Sequence, residues 1–275
     1  THKTASTSFQ AICSQNQELL ISNKVLFPEY LNWHQHSFAA WMSQKRDVSS
    51  LNAFLMSIYD ATIYHKCLTT LLSGEDFENF LIDTHLALEF ETLAKSVGYS
   101  EIEWIVVQRD PLEYLLSIYS EKSGYKMILD LGTISNVILE YGFFSASSPN
   151  YNYKFVFDIS KFSEFFKKDV NPNLTVLNFD SFIDDFVGKP IFSRLVNDKS
   201  LVDIRKYAKN SPIKRKRLDA VKIEFRYLAN FLGMKPNKEF YEQNNKLVDS
   251  LVSHRLETKK TLLSEVQIKF KKRFY

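Results

Sequence analysis

The spacing of apolar residues changes along this chain of 275 residues, and each spacing predicts a different element. Near the start, Phe9, Ile12 and Cys13 stand at i, i+3 and i+4, which is the spacing of one helix face. This pattern predicts a first helix that begins near Ser6 or Thr7. The N–H groups and the positive dipole end of such a helix would face the loop before it.

A second pattern combines a strand with a helix. Ile102–Val107 is an almost unbroken apolar run rich in β-branched side chains, as is typical of a parallel strand covered on both faces. Asp110 then offers an N-cap, with Pro111 at the first helical position and Glu113 at the third, so a helix is predicted to begin here. Its buried stripe is predicted to contain Leu112, Leu115, Leu116 and Tyr119.

Later in the chain, short strands alternate with helices. Strands are predicted at Lys154–Asp158 and Leu174–Phe179, with a turn at Asn171–Asn173 before the second strand. Further helices are predicted at Phe162–Lys168, Lys216–Phe231 and Glu239–Phe270. This alternation predicts an α/β fold, with a mostly parallel central sheet flanked by helices, in one domain over residues 1–275.

Residues 45–100 are predicted to form a helical insertion in that fold. Apolar residues from Leu51 to Ile58 have helical spacing, and Gly98 is a suitable stop for a helix. Apolar residues alternate with other residues from Leu86 to Phe90, which leaves this stretch open between helix and strand.

Composition narrows the class of protein. Hydrophobic residues make up 45% of the chain and aromatic residues 15%, as in a packed globular protein. A net charge of +3 permits an anionic ligand but does not indicate nucleic-acid binding. The two cysteines are too few for a disulfide framework, and the sequence shows no set of residues spaced as metal ligands. No apolar run approaches about 18 residues, so no membrane-spanning helix is predicted. We expect a cytoplasmic protein, with a Golgi-lumenal chain anchored upstream of Thr1 as the open alternative.

The strongest chemical signal precedes the first predicted helix. The run Lys3-Thr4-Ala5-Ser6-Thr7-Ser8-Phe9 brings an ammonium and several hydroxyls to a helix start, which suits a phosphate group. The glycine-rich loop of nucleoside triphosphatases is absent. The run resembles the 5′-phosphosulfate loop of sulfotransferases that use 3′-phosphoadenosine-5′-phosphosulfate (PAPS), in the branch of the heparan sulfate and uronyl 2-O-sulfotransferases.

A second resemblance begins at Arg109, which follows the predicted strand at the edge where open α/β sheets bind ligands. Arg109, Pro111, Ser117 and Tyr119 are similar to the R-x-P-x-x-x-x-x-S-x-Y pattern of the same family. The resemblance implies that Arg109 and Ser117 hold the 3′-phosphate of PAPS.

A third resemblance is the histidine pair in Trp33-His34-Gln35-His36. It follows the apolar segment Leu19–Phe27, which is interrupted at residues 22–24 and is expected to supply a strand. In the 2-O-sulfotransferases an H-x-H pair follows the second strand, and its second histidine is the catalytic base. The resemblance therefore implies that His36 is the base and that His34 and Trp33 lie on the acceptor side.

Together these resemblances imply an enzyme that moves a sulfuryl group from PAPS to a carbohydrate hydroxyl and leaves 3′-phosphoadenosine 5′-phosphate. They imply that His36 takes the proton of the acceptor, that Lys3 assists the leaving group, and that no metal is needed. The residues implied in donor binding are Lys3, Thr4, Ala5, Ser6, Thr7, Ser8, Arg109 and Ser117. Two alternatives stay open, namely a non-catalytic homologue that binds nucleotide or glycan, and a phosphate-loop kinase.

Two features depart from the family pattern. A phosphate loop of this kind follows a strand, so a first strand is expected upstream of Thr1. The block 45–100 is longer than the family pattern leads us to expect, which bears on the acceptor. Basic clusters at Lys214–Arg217 and Lys269–Arg273 are open to three interpretations, namely a solvated face, a rim for an anionic polysaccharide, or extra contacts to the 3′-phosphate of the donor.

Overall fold

The structure is a computed structural model, and it is mixed α/β with a large helical share. It describes residues 2–30, 35–122, 130–148, 151–210, 220–231, 233 and 238–275. Contacts between residues divide the chain into two compact units, each made of two separate stretches. The first unit contains residues 1–109 and 145–214, and the second contains residues 110–144 and 215–275. Each unit is interrupted in sequence by the other. The prediction of one domain over 1–275 stays a prediction.

The first unit contains most of the described elements. Its helices are α1 (Ser6–Gln15), α2 (Gln17–Ser22), α3 (Ser37–Lys45), α4 (Val48–Tyr64), α5 (Thr84–Val97), α8 (Ile159–Asp169), α9 (Phe179–Ile183), α10 (Lys189–Leu195) and α11 (Asp198–Asn210). A 3-10 helix spans Glu75–Leu81. Its strands are β1 (Val25–Leu26), β2 (Thr69–Thr70), β3 (Trp104–Gln108), β5 (Tyr151–Val156) and β6 (Leu174–Asn178).

The described strands form three two-stranded sheets rather than the single central sheet that the sequence predicts. β1 pairs in parallel with β2, and β3 pairs in parallel with β6 from Trp104 opposite Leu174 to Gln108 opposite Asn178. The third sheet pairs β5 with β4 (Phe143–Ser148), a strand whose first two residues belong to the second unit. The prediction of an α/β fold is confirmed, and β1–β2 and β3–β6 are parallel pairs, whereas one mostly parallel central sheet is not found among the described residues.

Both faces of the β3–β6 pair are covered, which explains the continuous apolar run in the sequence. Alternate residues of a strand point to opposite faces. Accordingly Trp104 and Val106 pack against a core that includes residues of α3, α4, α5 and α8. Ile105 and Val107 pack against a second core that includes residues of α1 and α10. A strand between two cores needs apolar side chains at every position, and β3 has them from Trp104 to Val107.

Several predicted helix ends are confirmed by their local contacts. α1 begins at Ser6, and α5 ends before Gly98, whose φ of 125° lies in the region that favours glycine. The backbone N–H of Glu113 donates to the Asp110 carboxylate over 2.8 Å, so Asp110 caps the helix α6 (Pro111–Lys122) as predicted. The stretch from Leu86 to Phe90, left open by the sequence, belongs to helix α5.

Two predicted segments combine a short strand with helices. Leu19–Phe27 supplies a strand, as expected, but only Val25 and Leu26 form it, as β1, and the first four residues of the segment belong to α2. The segment 45–100, predicted to be a helical insertion, contains α4, the 3-10 helix and α5, and it also contains β2, which pairs with β1. Both differences arise because a strand of two residues has no room for the alternation by which a sequence indicates a strand.

The described part of the second unit is helical apart from Phe143 and Phe144, the first two residues of β4. It contains α6 (Pro111–Lys122), α7 (Leu131–Tyr141), α12 (Ala220–Phe231) and α13 (Lys238–Phe274), and α13 packs against the other three helices. Glu224 on α12 is fully buried, and its carboxylate accepts hydrogen bonds from Arg255 at 2.9 Å and from Lys259, both on α13. The guanidinium of Arg255 also lies 4.0 Å from the ring centroid of Tyr227. A buried charge network thus joins α12 to α13.

Among the described residues, the helices are too short or too polar to cross a lipid bilayer. Of the two basic clusters, Lys214–Arg217 lies outside the described residues. The other, Lys269–Arg273, lies in the last turns of α13, where Lys269, Lys271, Lys272 and Arg273 are exposed and Phe270 is buried.

Candidate functional site

The loop before α1 has an unusual backbone. Lys3 and Ala5 both adopt positive φ angles, of 56° and 61°, which non-glycine residues rarely do. Thr4 between them is buried, and Ala5 is the N-cap residue of α1. This conformation turns the chain directly into the first turn of α1, where the helix dipole is positive. The lysine and the hydroxyl residues of the run 3–8 therefore lie where an anion is stabilised.

Arg109 meets this loop across 106 residues of sequence. It follows the last residue of β3, and Phe179 follows the paired last residue of β6, so both lie at the carboxyl edge of this parallel sheet. The guanidinium donates a hydrogen bond from Nη1 to the carbonyl oxygen of Lys3 over 3.0 Å, and it lies 4.9 Å from the centroid of the Phe179 ring. The structure therefore brings two of the predicted site segments into contact.

His36 is buried, with 1% of its surface exposed, and both ring nitrogens contact backbone groups. The N–H of Ser73 donates to Nδ1 over 2.8 Å, so Nδ1 carries no proton in this contact. Nε2 lies 2.8 Å from the carbonyl oxygen of Pro28, to which it donates its proton. Since Pro28 lies just beyond β1 and Ser73 just beyond β2, His36 ties together the carboxyl ends of these two strands.

This position sets a condition for the predicted role of His36. A general base needs a ring nitrogen within hydrogen-bond distance of the acceptor hydroxyl, and both nitrogens of His36 are engaged with the backbone. To act as the base, the ring must exchange Pro28 or Ser73 for the acceptor. The assignment of His36 as the base stays a prediction. Trp33 and His34, the predicted acceptor-side residues, lie outside the described residues.

Ser117, the second predicted ligand of the 3′-phosphate, lies in the second turn of α6 and is partly exposed. It belongs to the second unit, whereas Lys3 and Arg109 belong to the first. Its assignment stays a prediction.

A cluster of carboxylates beside the loop is absent from the sequence predictions. His2 is buried and contacts three acidic residues at the start of the 3-10 helix. Its backbone N–H donates to Glu78 over 2.8 Å, its Nδ1 lies 3.2 Å from a Glu75 oxygen, and its Nε2 lies 3.5 Å from an Asp76 oxygen. The hydroxyl of Ser6, the first residue of α1, donates to the other oxygen of Glu75.

These contacts shift the pKa values of the cluster in different directions. Burial alone would raise the pKa of Glu75, but the hydrogen bond and charge of His2 and the hydroxyl of Ser6 hold it at about 2. Burial raises the pKa values of Asp76 and Glu78. For His2, burial acts to lower the pKa, yet the neighbouring carboxylates outweigh it and raise the value. Glu75 is therefore ionised at neutral pH.

The sequence carries only a faint signal for this cluster. Acidic residues at the start of a helix favour the helix dipole and are ordinarily solvated, so Glu75, Asp76 and Glu78 look unexceptional in sequence. Their partner His2 is more than 70 residues away along the chain. Gly74, next to Glu75, marks a close approach to a different segment, because a Cβ there would lie 2.8 Å from the backbone nitrogen of Ser37. Such a close approach requires glycine.

Within the described residues, no group of three or more His, Cys, Asp or Glu side chains is arranged to hold a metal ion. A set of cationic and hydroxyl groups suited to an anionic ligand lies in this region. These groups are supplied by the loop, by Arg109 and by the edges of the two parallel strand pairs. Comparison of the chain with protein-family models, curated proteins and solved structures found no match.

Proposed function

We propose that this protein is a PAPS-dependent sulfotransferase that acts on a carbohydrate hydroxyl. The observation that carries the proposal is the hydrogen bond from Arg109 to the carbonyl oxygen of Lys3. These residues come from two motifs that resemble the two ends of one donor site in the family. They meet at the carboxyl edge of a parallel sheet, where ligands of α/β proteins bind, as the two ends of one donor site would.

The chemistry of the residues fits an adenosine donor with phosphate groups at both ends. The ammonium of Lys3, the Ser6 hydroxyl and the first turn of α1 supply positive charge and hydrogen-bond donors for the 5′-phosphosulfate. Arg109 has the planar fork of donors that recognises a phosphate, here the 3′-phosphate. Its hydrogen bond to Lys3 fixes the orientation of that fork relative to the loop.

In the proposed reaction, the acceptor oxygen forms a bond to sulfur while the bond from sulfur to the donor phosphate oxygen breaks. The acceptor loses its proton to His36, once the ring has exchanged a backbone partner for the acceptor. Negative charge grows on the departing phosphate oxygen, and Lys3 with the first turn of α1 stabilises it. Arg109 contributes by holding the donor in one orientation.

The burial of His36 favours a second candidate, a protein that binds the donor nucleotide without transferring the sulfuryl group. With both nitrogens tied to Pro28 and Ser73, His36 serves as a structural link between two strand ends. A protein that keeps this link closed would bind the nucleotide and lack a base.

Calorimetry with 3′-phosphoadenosine 5′-phosphate and adenosine 5′-phosphate tests the donor site, because these ligands differ only in the 3′-phosphate. A charge-assisted hydrogen bond contributes about 1.5–3 kcal/mol, so we expect the bisphosphate to bind about tenfold to a hundredfold more tightly. Arg109→Ala should remove this preference. Arg46→Ala is the matched control, since Arg46 pairs with Glu89 on the surface and should leave the preference unchanged. Equal affinities for both ligands in the wild type would refute the proposal.

Turnover separates the enzyme from the binding protein. Wild-type protein with labelled PAPS should transfer label to at least one member of a glycan panel, and His36→Ala should lose most of that activity, about 10² to 10⁴-fold. Donor affinity and the unfolding temperature of the variant serve as controls, because His36 also has a structural role. Tight bisphosphate binding without transfer to any saccharide would establish the second candidate.

A further inference from the structure

Glu75 stands at the position that an anionic donor would need. Ser6 begins α1, and its hydroxyl donates to one oxygen of the Glu75 carboxylate. The other oxygen of Glu75 accepts from His2, which precedes Lys3. A carboxylate of the protein is thus bound by the loop proposed to receive the 5′-phosphosulfate.

Electrostatic attraction stabilises the contact between Glu75 and the loop. Glu75 is ionised at neutral pH, and its carboxylate interacts with the charge of His2. Its side chain keeps 27% of its surface exposed, whereas that of Asp76 keeps 7%. Glu75 is therefore the member of the cluster placed between the protein interior and the solvent-facing side of the loop.

A second anion beside Glu75 meets two obstacles. A phosphate oxygen that takes the Ser6 hydroxyl must first displace the carboxylate, because a hydroxyl has a single proton to donate. Once displaced, the carboxylate still repels the incoming negative charge, unless the side chain turns toward solvent.

From this arrangement we infer that Glu75 is an internal competitor for the donor at the Ser6 hydroxyl, and that it sets the donor affinity of the loop. The inference rests on the proposed function. Binding of the donor exchanges one anion for another at the start of α1 and releases Glu75. Weakly held anions, such as inorganic sulfate, lack a second anchor at Arg109 and do not displace the carboxylate.

Glu75→Gln tests this inference, because glutamine keeps the size of the side chain and can still accept from Ser6. A neutral acceptor forms a hydrogen bond roughly half as strong as an ionised one, and it does not repel the ligand. We expect 3′-phosphoadenosine 5′-phosphate to bind the variant about tenfold more tightly than the wild type. Glu164→Gln, which removes an exposed carboxylate from α8, is the charge control and should change the affinity less than twofold.

The opposite result has a clear meaning. If Glu75 only supports the loop through His2, its replacement weakens the binding of the bisphosphate. Either weaker or unchanged binding by the variant overturns the inference. The proposed function still stands in that case, provided that the wild type shows Arg109-dependent binding. Absence of bisphosphate binding to both proteins overturns the inference and the proposed function together.

A measurement on the wild-type protein covers the case in which Glu75→Gln does not fold. The ¹³C chemical shift of the Glu75 carboxyl should move when 3′-phosphoadenosine 5′-phosphate binds, because the carboxylate loses the Ser6 hydroxyl. The carboxyl of Glu78 is the internal control, since it accepts from the backbone N–H groups of His2 and Val156 and keeps both. A Glu75 signal unchanged at saturating ligand overturns the inference.

Discussion

Replacement of Glu224 by alanine should unfold the second unit at a much lower urea concentration. The Glu224 carboxylate is fully buried, and it accepts from Arg255 at 2.9 Å and from Lys259, whose side chains are 33% and 14% exposed. The hydroxyl of Tyr119 on α6 lies 3.5 Å from the same carboxylate. Removing the Glu224 carboxylate leaves Arg255 and Lys259 without their shared counter-charge inside the interface of α12 and α13.

The magnitude follows from this geometry. Breaking a buried ion pair by removing one partner costs about 3–5 kcal/mol, because the remaining charge is uncompensated. With a urea dependence of about 2 kcal/mol per molar, the midpoint should fall by roughly 1.5–2.5 M. Glu224→Gln, which keeps the shape and part of the hydrogen bonding, should cost less, about 1–3 kcal/mol.

The distribution of tryptophan makes the assay specific. All three tryptophans, Trp33, Trp41 and Trp104, belong to the stretch 1–109 of the first unit. Circular dichroism at 222 nm also reports α12 and α13, which belong to the second. We therefore expect the dichroism transition of Glu224→Ala to begin at lower urea than the tryptophan fluorescence transition.

The control for this experiment is Glu257→Ala, which removes an exposed carboxylate from the same helix α13. Exposed substitutions of this kind change stability by no more than about 0.5 kcal/mol. A Glu224→Ala variant with the dichroism midpoint of Glu257→Ala would show that the buried network does not stabilise the second unit.

Three further predictions concern the loop and its surroundings. Lys3→Ala should lower kcat by about 10²-fold with little change in the KM of the acceptor, and steady-state kinetics with PAPS would contradict the role of Lys3 if kcat stayed within twofold. The pKa of His2 is raised in the folded protein, so protonation of His2 stabilises the fold fully below about pH 6.5, and this contribution is lost as pH rises through the raised pKa. The unfolding temperature of the wild type should therefore fall between about pH 6 and pH 9. The unfolding temperature of His2→Asn should change much less over the same range. Gly188→Ala should destabilise the protein by about 1–3 kcal/mol in urea unfolding, because the φ of Gly188 is +85° and a Cβ there would lie 2.4 Å from the Phe9 ring. The control is Gly132→Ala, whose Cβ would have its nearest contact at 3.4 Å. This control should change stability by less than about 1 kcal/mol.

The elements that the sequence predicted well are those whose signal is local. The apolar run of β3, the Asp110 cap of α6 and the glycine after α5 each depend on a few adjacent residues, and each is confirmed. The alternation between Leu86 and Phe90 was ambiguous because Leu88, which belongs to α5, is an exposed hydrophobic residue. Exposed leucines are common on protein surfaces, and here one imitates the period of a strand.

The parts that the sequence did not predict depend on partners far away in the chain. The buried carboxylates of Asp76 and Glu78 owe their position to His2, and Glu224 owes its position to Arg255 and Lys259. Burial of a charge is costly without a partner, so sequence reasoning places acidic residues on the surface. The same limit applies to His36, whose two backbone partners lie 8 and 37 residues away.

The interleaving of the two units has a consequence for biosynthesis. Helices α6 and α7 leave the ribosome long before α12 and α13, and residues 145–214 of the other unit are made in between. The surfaces of α6 and α7 that α13 covers are therefore left without this helix during most of translation. Nascent chains that expose such surfaces are the ones that bind chaperones or aggregate. A stop codon after residue 214 would remove α12 and α13, and with them the contacts that α13 makes with α6 and α7, so such a truncated chain should be recovered mainly in the insoluble fraction.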